Sequence, residues 1–401
     1  MSPGVPRQKF KLVEKLFSYR QLAMEYKPEC NLSSGFPDFP AFPEYLPNYI
    51  TDVVDKESDH LTYQYTRGFG HPRLVKAISE LYGKLLGRKI DPLTEVLATI
   101  GGYEALFCAI HGFAGPGDEV IIVEPYFDCY VPMTISTGAT PVFVPLKNKG
   151  SNPNYASSKD WVLDPDELAR AFNIFTCDEL QLIADLCKKH DVICISDEVY
   201  EWLVYKPAKH IRMASLPGMW ERTITIGSAG KILSATGLKI GWAYCPARLM
   251  ESLNLFTVHQ NCVHCGTTFE ATARCLEYEL SLLGTPDCYL ENLSTILQPK
   301  RDYFCRVLRD AGFAPSIPEG GYFIVSKWSN LGKVKNCIKT VASFKETCKG
   351  RSLIRKKIKE KGLIFQPPSQ ELVTEMEFLR TLDGLLSLKT CNNKVQLIYF
   401  S

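Results

Sequence analysis

Lys231 is the residue whose setting most suggests chemistry. Ile224 and Ile226 alternate with Thr223 and Thr225, the spacing of a strand. Gly227-Ser228-Ala229-Gly230 then break the run and deliver the lysine among small residues, where a bulky planar partner can approach. Desolvated there, its amine can lose its proton and attack a carbonyl. A nucleotide-binding P-loop is excluded, because GxxxxGK[ST] needs glycine at 225 and Ser or Thr at 232, where the chain has Thr225 and Ile232. On this stretch alone an ordinary surface lysine is the simpler reading. Asp197 stands at the carboxyl end of a second apolar run, Val192–Ser196, with Tyr200 close behind it. Open parallel sheets place their ligands at such strand ends. An acid and a lysine at strand ends also recur in many folds as buried ion pairs or surface residues.

Two further strand ends merit chemistry. Glu95–Ile100 runs into Gly101-Gly102-Tyr103 and then a helical stretch, Glu104–Gly112. A strand, glycines and a helix start together present backbone N–H groups and a positive dipole end to an anion such as a phosphate. A plain glycine turn has the same spelling. Gly117–Glu124 reads as a buried strand, with Pro125-Tyr126 at its carboxyl end. On its own Tyr126 reads as a packed core aromatic.

GSAGK followed by SATGLKIGW, with SDEVYEWLVY upstream, resembles the class I/II aminotransferases that use pyridoxal phosphate, and among them the kynurenine aminotransferases, also known as glutamine transaminases K or cysteine-S-conjugate β-lyases. The likeness runs from about Phe17 to Tyr322 and thins after Trp328. It implies fold-type I: an α/β architecture with a mainly parallel central sheet, helices on both faces, and a smaller α/β domain. Residues 45–290 would form the large cofactor-binding domain, with 1–44 and 291–401 as amino-terminal arm and small domain.

The resemblance assigns roles residue by residue. Lys231 would carry the cofactor and act as the catalytic base, Asp197 would pair with the pyridinium nitrogen, and Tyr200 would hydrogen-bond the phenolic oxygen. Ser228, Lys239 and the backbone of Gly102 and Tyr103 would hold the phosphate, and Tyr126 would stack on the ring. Tyr65, otherwise just an aromatic before a glycine turn, would reach the partner's cofactor phosphate across a homodimer interface. Gly35 would let the backbone approach the substrate carboxylate and Phe17 would wall the pocket; the nearest candidate for the carboxylate-binding arginine is Arg380. The implied reaction moves an amino group from kynurenine, glutamine or another aromatic or sulfur amino acid to a 2-oxo acid. β-Elimination is open to substrates with a good leaving group on Cβ. His264 lies near the family's substrate-gating aromatics and hints at an altered specificity.

Stepping along the elements, the alternation fails once. Asp164-Pro165-Asp166-Glu167 opens one capped helix, to about Phe172, and Thr176-Cys177-Asp178-Glu179 opens another. Only Asn173–Phe175 separate them, where β-α-β order calls for a strand. The family has a sheet strand there and an N-P-x-x-P-x-G-like loop whose asparagine bonds the phenolic oxygen. The junction at Asn173–Ile174 therefore predicts a sheet lacking one strand and its loop. It opens an alternative to the enzyme: a catalytically impaired relative acting at most as a dimer partner.

Composition agrees with an ordinary globular chain of 401 residues, 45% hydrophobic and 22% charged. A net charge of +2 recommends neither nucleic acid nor acidic membranes as partners, and no apolar run is long enough to cross a bilayer. The 15 cysteines are scattered, the pattern of reduced core thiols. Cys262 and Cys265 form one CxxC with no second pair at zinc spacing, so no metal is expected. The amino-terminal stretch lacks the apolar core of a secretory signal; it is basic, which permits a mitochondrial transit peptide, but a cytoplasmic protein is the expectation.

Overall fold

The structure is a computed structural model that describes residues 30–31, 43–56, 66–150, 157–164, 179–259, 266–310, 313–321, 323–324, 326–327, 363–364 and 395–400. Phe17, Gly35, Tyr65, Asn173–Ile174, the Cys262/Cys265 pair, His264 and Arg380 lie outside the described residues.

The strands are β1 (Cys30–Asn31), β2 (Val96–Thr99), β3 (Glu119–Glu124), β4 (Thr140–Asn148), β5 (Trp161–Leu163), β6 (Ile193–Asp197), β7 (Thr223–Ser228), β8 (Gly241–Tyr244), β9 (Ala314–Pro315), β10 (Ser326–Lys327), β11 (Leu363–Ile364) and β12 (Val395–Phe400). The helices are α1 (Tyr45–Lys56), α2 (Pro72–Leu86), α3 (Gly101–Phe113), α4 (Tyr130–Thr137), α5 (Glu179–Lys189), α6 (Ala229–Ile232), α7 (Ala247–His259), α8 (Gly266–Leu282) and α9 (Tyr289–Asp310). The main sheet has eight strands in the order β2-β8-β7-β6-β12-β3-β4-β5. Pairing is parallel from β7 through β6, β12 and β3 to β4, and antiparallel at β8 with both its neighbours and at β5.

The parallel strands are buried on both faces, and their period of two divides the core. Val120 and Ile122 of β3 join one apolar cluster with Ala105 and Ala109 of α3, Ile195 of β6, Ile224 and Ile226 of β7, and Leu249 and Leu253 of α7. Their alternates Ile121 and Val123 face the other side, with Cys194 of β6 and Leu182, Ile183 and Leu186 of α5. A third cluster packs α2 and α8 against Val96, Trp242 and Tyr244. Each such side chain, fully buried, contributes about 1.5–3 kcal/mol of transfer free energy, so helices on both faces are what make near-continuous apolar strands soluble as a sheet.

One expectation is corrected. The sheet is not left with an open gap: the slot between β3 and β6 is filled by β12, whose Val395–Ile398 pair with Glu119–Ile122 and whose Gln396–Phe400 pair with Ile193–Asp197. That strand comes from outside the 45–290 span. Helix α9 runs through Pro299, from Tyr289 to Asp310. Proline removes one helical hydrogen bond, and Leu290, Leu293, Leu297, Cys305 and Leu308, buried on either side of it, hold the helix together.

The eight cysteines from Cys108 to Cys305 whose burial is described are buried and free. Among the described residues no helix is long and apolar enough to cross a membrane.

Candidate active site

The sheet brings Asp197 and Lys231 together by pairing their strands. β6 and β7 are parallel and in register, Asp197 opposite Ile226, so both run out at the same edge of the sheet. β7 ends at Ser228, and the single helical turn Ala229–Ile232 that follows carries Lys231, whose charge acts on Asp197. Asp197 is 2% exposed. Burial pushes its carboxyl up to about 6, against the opposing pull of a hydrogen bond from Tyr130, the amide of Val199 and the charge on Lys231. Burial in turn lowers the Lys231 amine to about 8; Asp197 favours its charged form and Lys239 opposes it. At neutral pH the pair is therefore a buried carboxylate beside an amine that yields its proton two to three decades more readily than a free lysine, the electrostatics a nucleophilic lysine requires.

Tyr200 is buried, with Lys231 Nζ 5.3 Å from its ring centroid. Its loop is pinned from below by two buried acids. Glu198 accepts from Ser196 Oγ at 2.9 Å, from His210 Nε2 at 2.9 Å and from the amide of Met213 at 3.0 Å. Glu201 accepts from the hydroxyl of Tyr82 and from Arg212. Buried acids so fully bonded are costly to displace, and they fix the loop that carries Tyr200. Phe323 stands edge-on to Tyr200, at 6.3 Å between centroids.

The start of α3 is built by close backbone approach. Gly101 has φ of 79°, a left-handed conformation that favours glycine, and opens α3 directly after β2. Gly241 on β8 lies so near that a Cβ on it would fall 2.3 Å from the carbonyl carbon of Gly101 and the nitrogen of Gly102. Lys239, just before it, adopts φ 56° without being a glycine, a strained conformation that recurs at ligand sites. Ser228 stands at the start of α6 with no capping bond from its side chain. Gly241, which pairs with Ser228, thus lies against the backbone of Gly101 and Gly102, where the first amides of α3 lack partners within their own helix, and the Lys239 backbone lies beside Gly101.

Two residues at this site escape a reading of the sequence. Tyr130 Oη donates to Asp197 Oδ2 at 2.7 Å. Phe127, 39% exposed and edge-on to Tyr130, is the open aromatic beyond β3. Tyr126 instead stacks on Phe143 of β4, 5.6 Å between centroids, and packs against the core. No local signal separates these aromatics, because strand-end geometry decides which ring turns outward.

A buried carboxylate, an amine of depressed basicity beside it and a glycine-lined helix start at the carboxyl ends of a parallel sheet fit a cofactor that carries an aldehyde, a ring nitrogen and a phosphate. The profile of the family described as "Aminotransferase class I and II" matches residues 27–382. Kynurenine--oxoglutarate transaminase 3 of Rattus norvegicus is 47% identical over 323 residues, covering 75% of this chain and 69% of its own. Kynurenine--oxoglutarate transaminase 1 of Homo sapiens is 44% identical over 359 residues, covering 84% and 83%. Among solved structures, N-succinyldiaminopimelate aminotransferase from Mycobacterium tuberculosis superposes with a TM-score of 0.74 at 27% identity, covering 96% of this chain and all of that one (100%). The aromatic aminotransferase from Pyrococcus horikoshii gives 0.66 at 27%, covering 81% and 86%.

The chain belongs to the class I and II aminotransferases. It is a fold-type I enzyme whose cofactor is pyridoxal phosphate and whose reaction is transamination.

Proposed function

We propose that the amino donor is kynurenine, glutamine or a related aromatic or sulfur amino acid, that the acceptor is a 2-oxo acid, and that cysteine S-conjugates undergo β-elimination at the same site. Relatives named kynurenine--oxoglutarate transaminase, 38% to 47% identical, support the substrate class. The observation that carries the mechanism is the Asp197–Lys231 pair, a buried acid beside an amine lowered to about 8.

Pyridoxal phosphate supplies an electron sink for the charge that develops at the amino acid's Cα. Lys231 would hold it covalently, Asp197 would hold its ring nitrogen, Tyr200 its phenolic oxygen, and Ser228, Lys239 and the amides of Gly102 and Tyr103 its phosphate. Lys231 Nζ would be the base that takes the proton from Cα, and with its amine lowered to about 8 roughly a tenth of it is unprotonated at neutral pH. Asp197, an anion in a dry setting, stabilises positive charge facing it far better than it could in water. Tyr130 keeps that carboxylate ionised and fixes its direction.

The proposal includes a homodimer in which Tyr65 reaches the partner's site, binding of the substrate carboxylate by Arg380 and Gly35, a wall supplied by Phe17, and a cytoplasmic location. The buried free thiols support a reducing compartment. The alternative of an inactive dimer partner is not favoured, since the sheet is closed by β12 and close relatives are named as transaminases.

Borohydride reduction of the holoprotein, digestion and mass mapping test the mechanism, and turnover of kynurenine, glutamine and a cysteine S-conjugate with a panel of 2-oxo acids tests the substrates. The pyridoxyl label is expected on Lys231 alone. A label on another lysine overturns the mechanism, and turnover confined to other amino acids overturns the substrate class.

A further inference from the structure

β12 is unlike every other strand of the main sheet. The chain builds β3, β4 and β5 on one side and β6, β7 and β8 on the other, with β2 at the far edge. Among the described residues, only β12 joins the two sides. It pairs in parallel with both, Leu397 opposite Ile121 on one flank and Cys194 on the other. Its sequence, Val395-Gln396-Leu397-Ile398-Tyr399-Phe400, suits the place. It is free of proline and rich in the β-branched and aromatic residues that favour strands, as a strand buried in a parallel sheet should be.

The active site straddles this strand. Phe127 and Tyr130 follow β3, whereas Asp197 ends β6 and Lys231 follows β7. Neighbouring strands lie about 4.7–4.9 Å apart, so an intervening strand holds β3 and β6 roughly 9–10 Å from each other. The 2.7 Å bond from Tyr130 to Asp197 is made across that separation. The register carries β12 out to the same edge, with Phe400 opposite Asp197. Without β12, β3 and β6 would either carry unpaired backbone rows or close together, and either change moves Tyr130 relative to Asp197.

We propose that Val395–Phe400 is the positioning strand of the active site: a segment remote in sequence supplies the central strand that the Asn173–Ile174 junction omits, and thereby sets the Tyr130–Asp197 geometry. The closure of the sheet stands without the transamination reading; only its consequence for Asp197 rests on it.

Hydrogen exchange read by mass spectrometry on the full chain decides the closure, independently of activity. Amides of 396–400 are expected to exchange at least about a hundredfold more slowly than unstructured amides, together with those of β3 and β6. Ile398→Pro removes a ladder bond from a strand bonded on both flanks. It is expected to speed exchange in β3 and β6 at least about tenfold and to weaken retention of pyridoxal phosphate through dialysis, while Ile398→Val does neither. Global unfolding by Ile398→Pro with Ile398→Val intact counts as the same result, since an unpaired tail tolerates proline. Unprotected amides at 396–400 in the parent, or unchanged exchange of β3 and β6 in Ile398→Pro, overturn the proposal. Loss of turnover with normal protection would instead count against the transamination reading alone.

Discussion

The hydroxyl of Tyr130 donates to Oδ2 of Asp197 at 2.7 Å, joining a residue that follows β3 to one that ends β6 across the width of the strand between them. The bond lowers the basicity of a carboxylate that burial raises, and so sets the pH at which the acid ionises.

Removing that donor, Tyr130→Phe, should therefore raise the pKa of Asp197 above about 6. Ionised Asp197 is the active form, so the acid limb of the kcat/KM profile moves to higher pH. A hydrogen bond to a charged group is worth about 1.5–3 kcal/mol, a rise of roughly one to two pH units from about 6, which sets the expected loss at neutral pH at roughly two- to fifteenfold. An unshifted acid limb would show that Tyr130 does not govern Asp197.

Asp197→Asn should cripple transamination by several powers of ten while sparing cofactor capture far more, because Lys231 and the phosphate-side groups remain. It also removes the charge that favours protonated Lys231, so the lysine amine should fall below about 8. Turnover of the reconstituted variant, and the pH dependence of the rate at which its apoprotein captures pyridoxal phosphate, read side by side, check both halves. Near-parent turnover would exclude Asp197 as partner of the ring nitrogen.

The apoprotein's stability should carry the signature of both groups. Asp197 has a folded pKa of about 6 against the ordinary 3.8, so the folded state binds more protons between those values and stability falls as pH rises through that window. Lys231 sits at about 8 against 10.5, so the unfolded state binds more protons there and stability rises with pH between about 8 and 10.5. Denaturant midpoints of parent, Asp197→Asn and Lys231→Met across pH 4 to 10 should lose the first and second slopes respectively.

Gly241→Ala places a methyl group 2.3 Å from the backbone of Gly101 and Gly102, which cannot yield as a side-chain tip can. Overpacking costs about 1–3 kcal/mol, so a lower melting temperature is expected, with weaker retention of pyridoxal phosphate because the start of α3 must shift. Gly237→Ala, where no atom lies within 4 Å of the added Cβ, is the matched control. Equal melting temperatures for the two variants would refute the crowding.

That Lys231 and Asp197 stand at strand ends, and that Gly101-Gly102 join a strand to a helix, could be read from local periodicity in the chain alone, whereas the roles of these residues and of Tyr200 come from the family resemblance. Those features depend on neighbours a few residues away, where alternation of side chains and the steric freedom of glycine act directly. Tertiary structure alone decided that Phe127 rather than Tyr126 faces outward beyond β3, that Tyr130 bonds Asp197, and that β12 closes the sheet. A strand's periodicity says that it wants two partners without saying which ones. The partners are chosen by the burial of whole faces and the satisfaction of backbone rows, and both are settled only when β3, β6 and a segment remote in sequence meet.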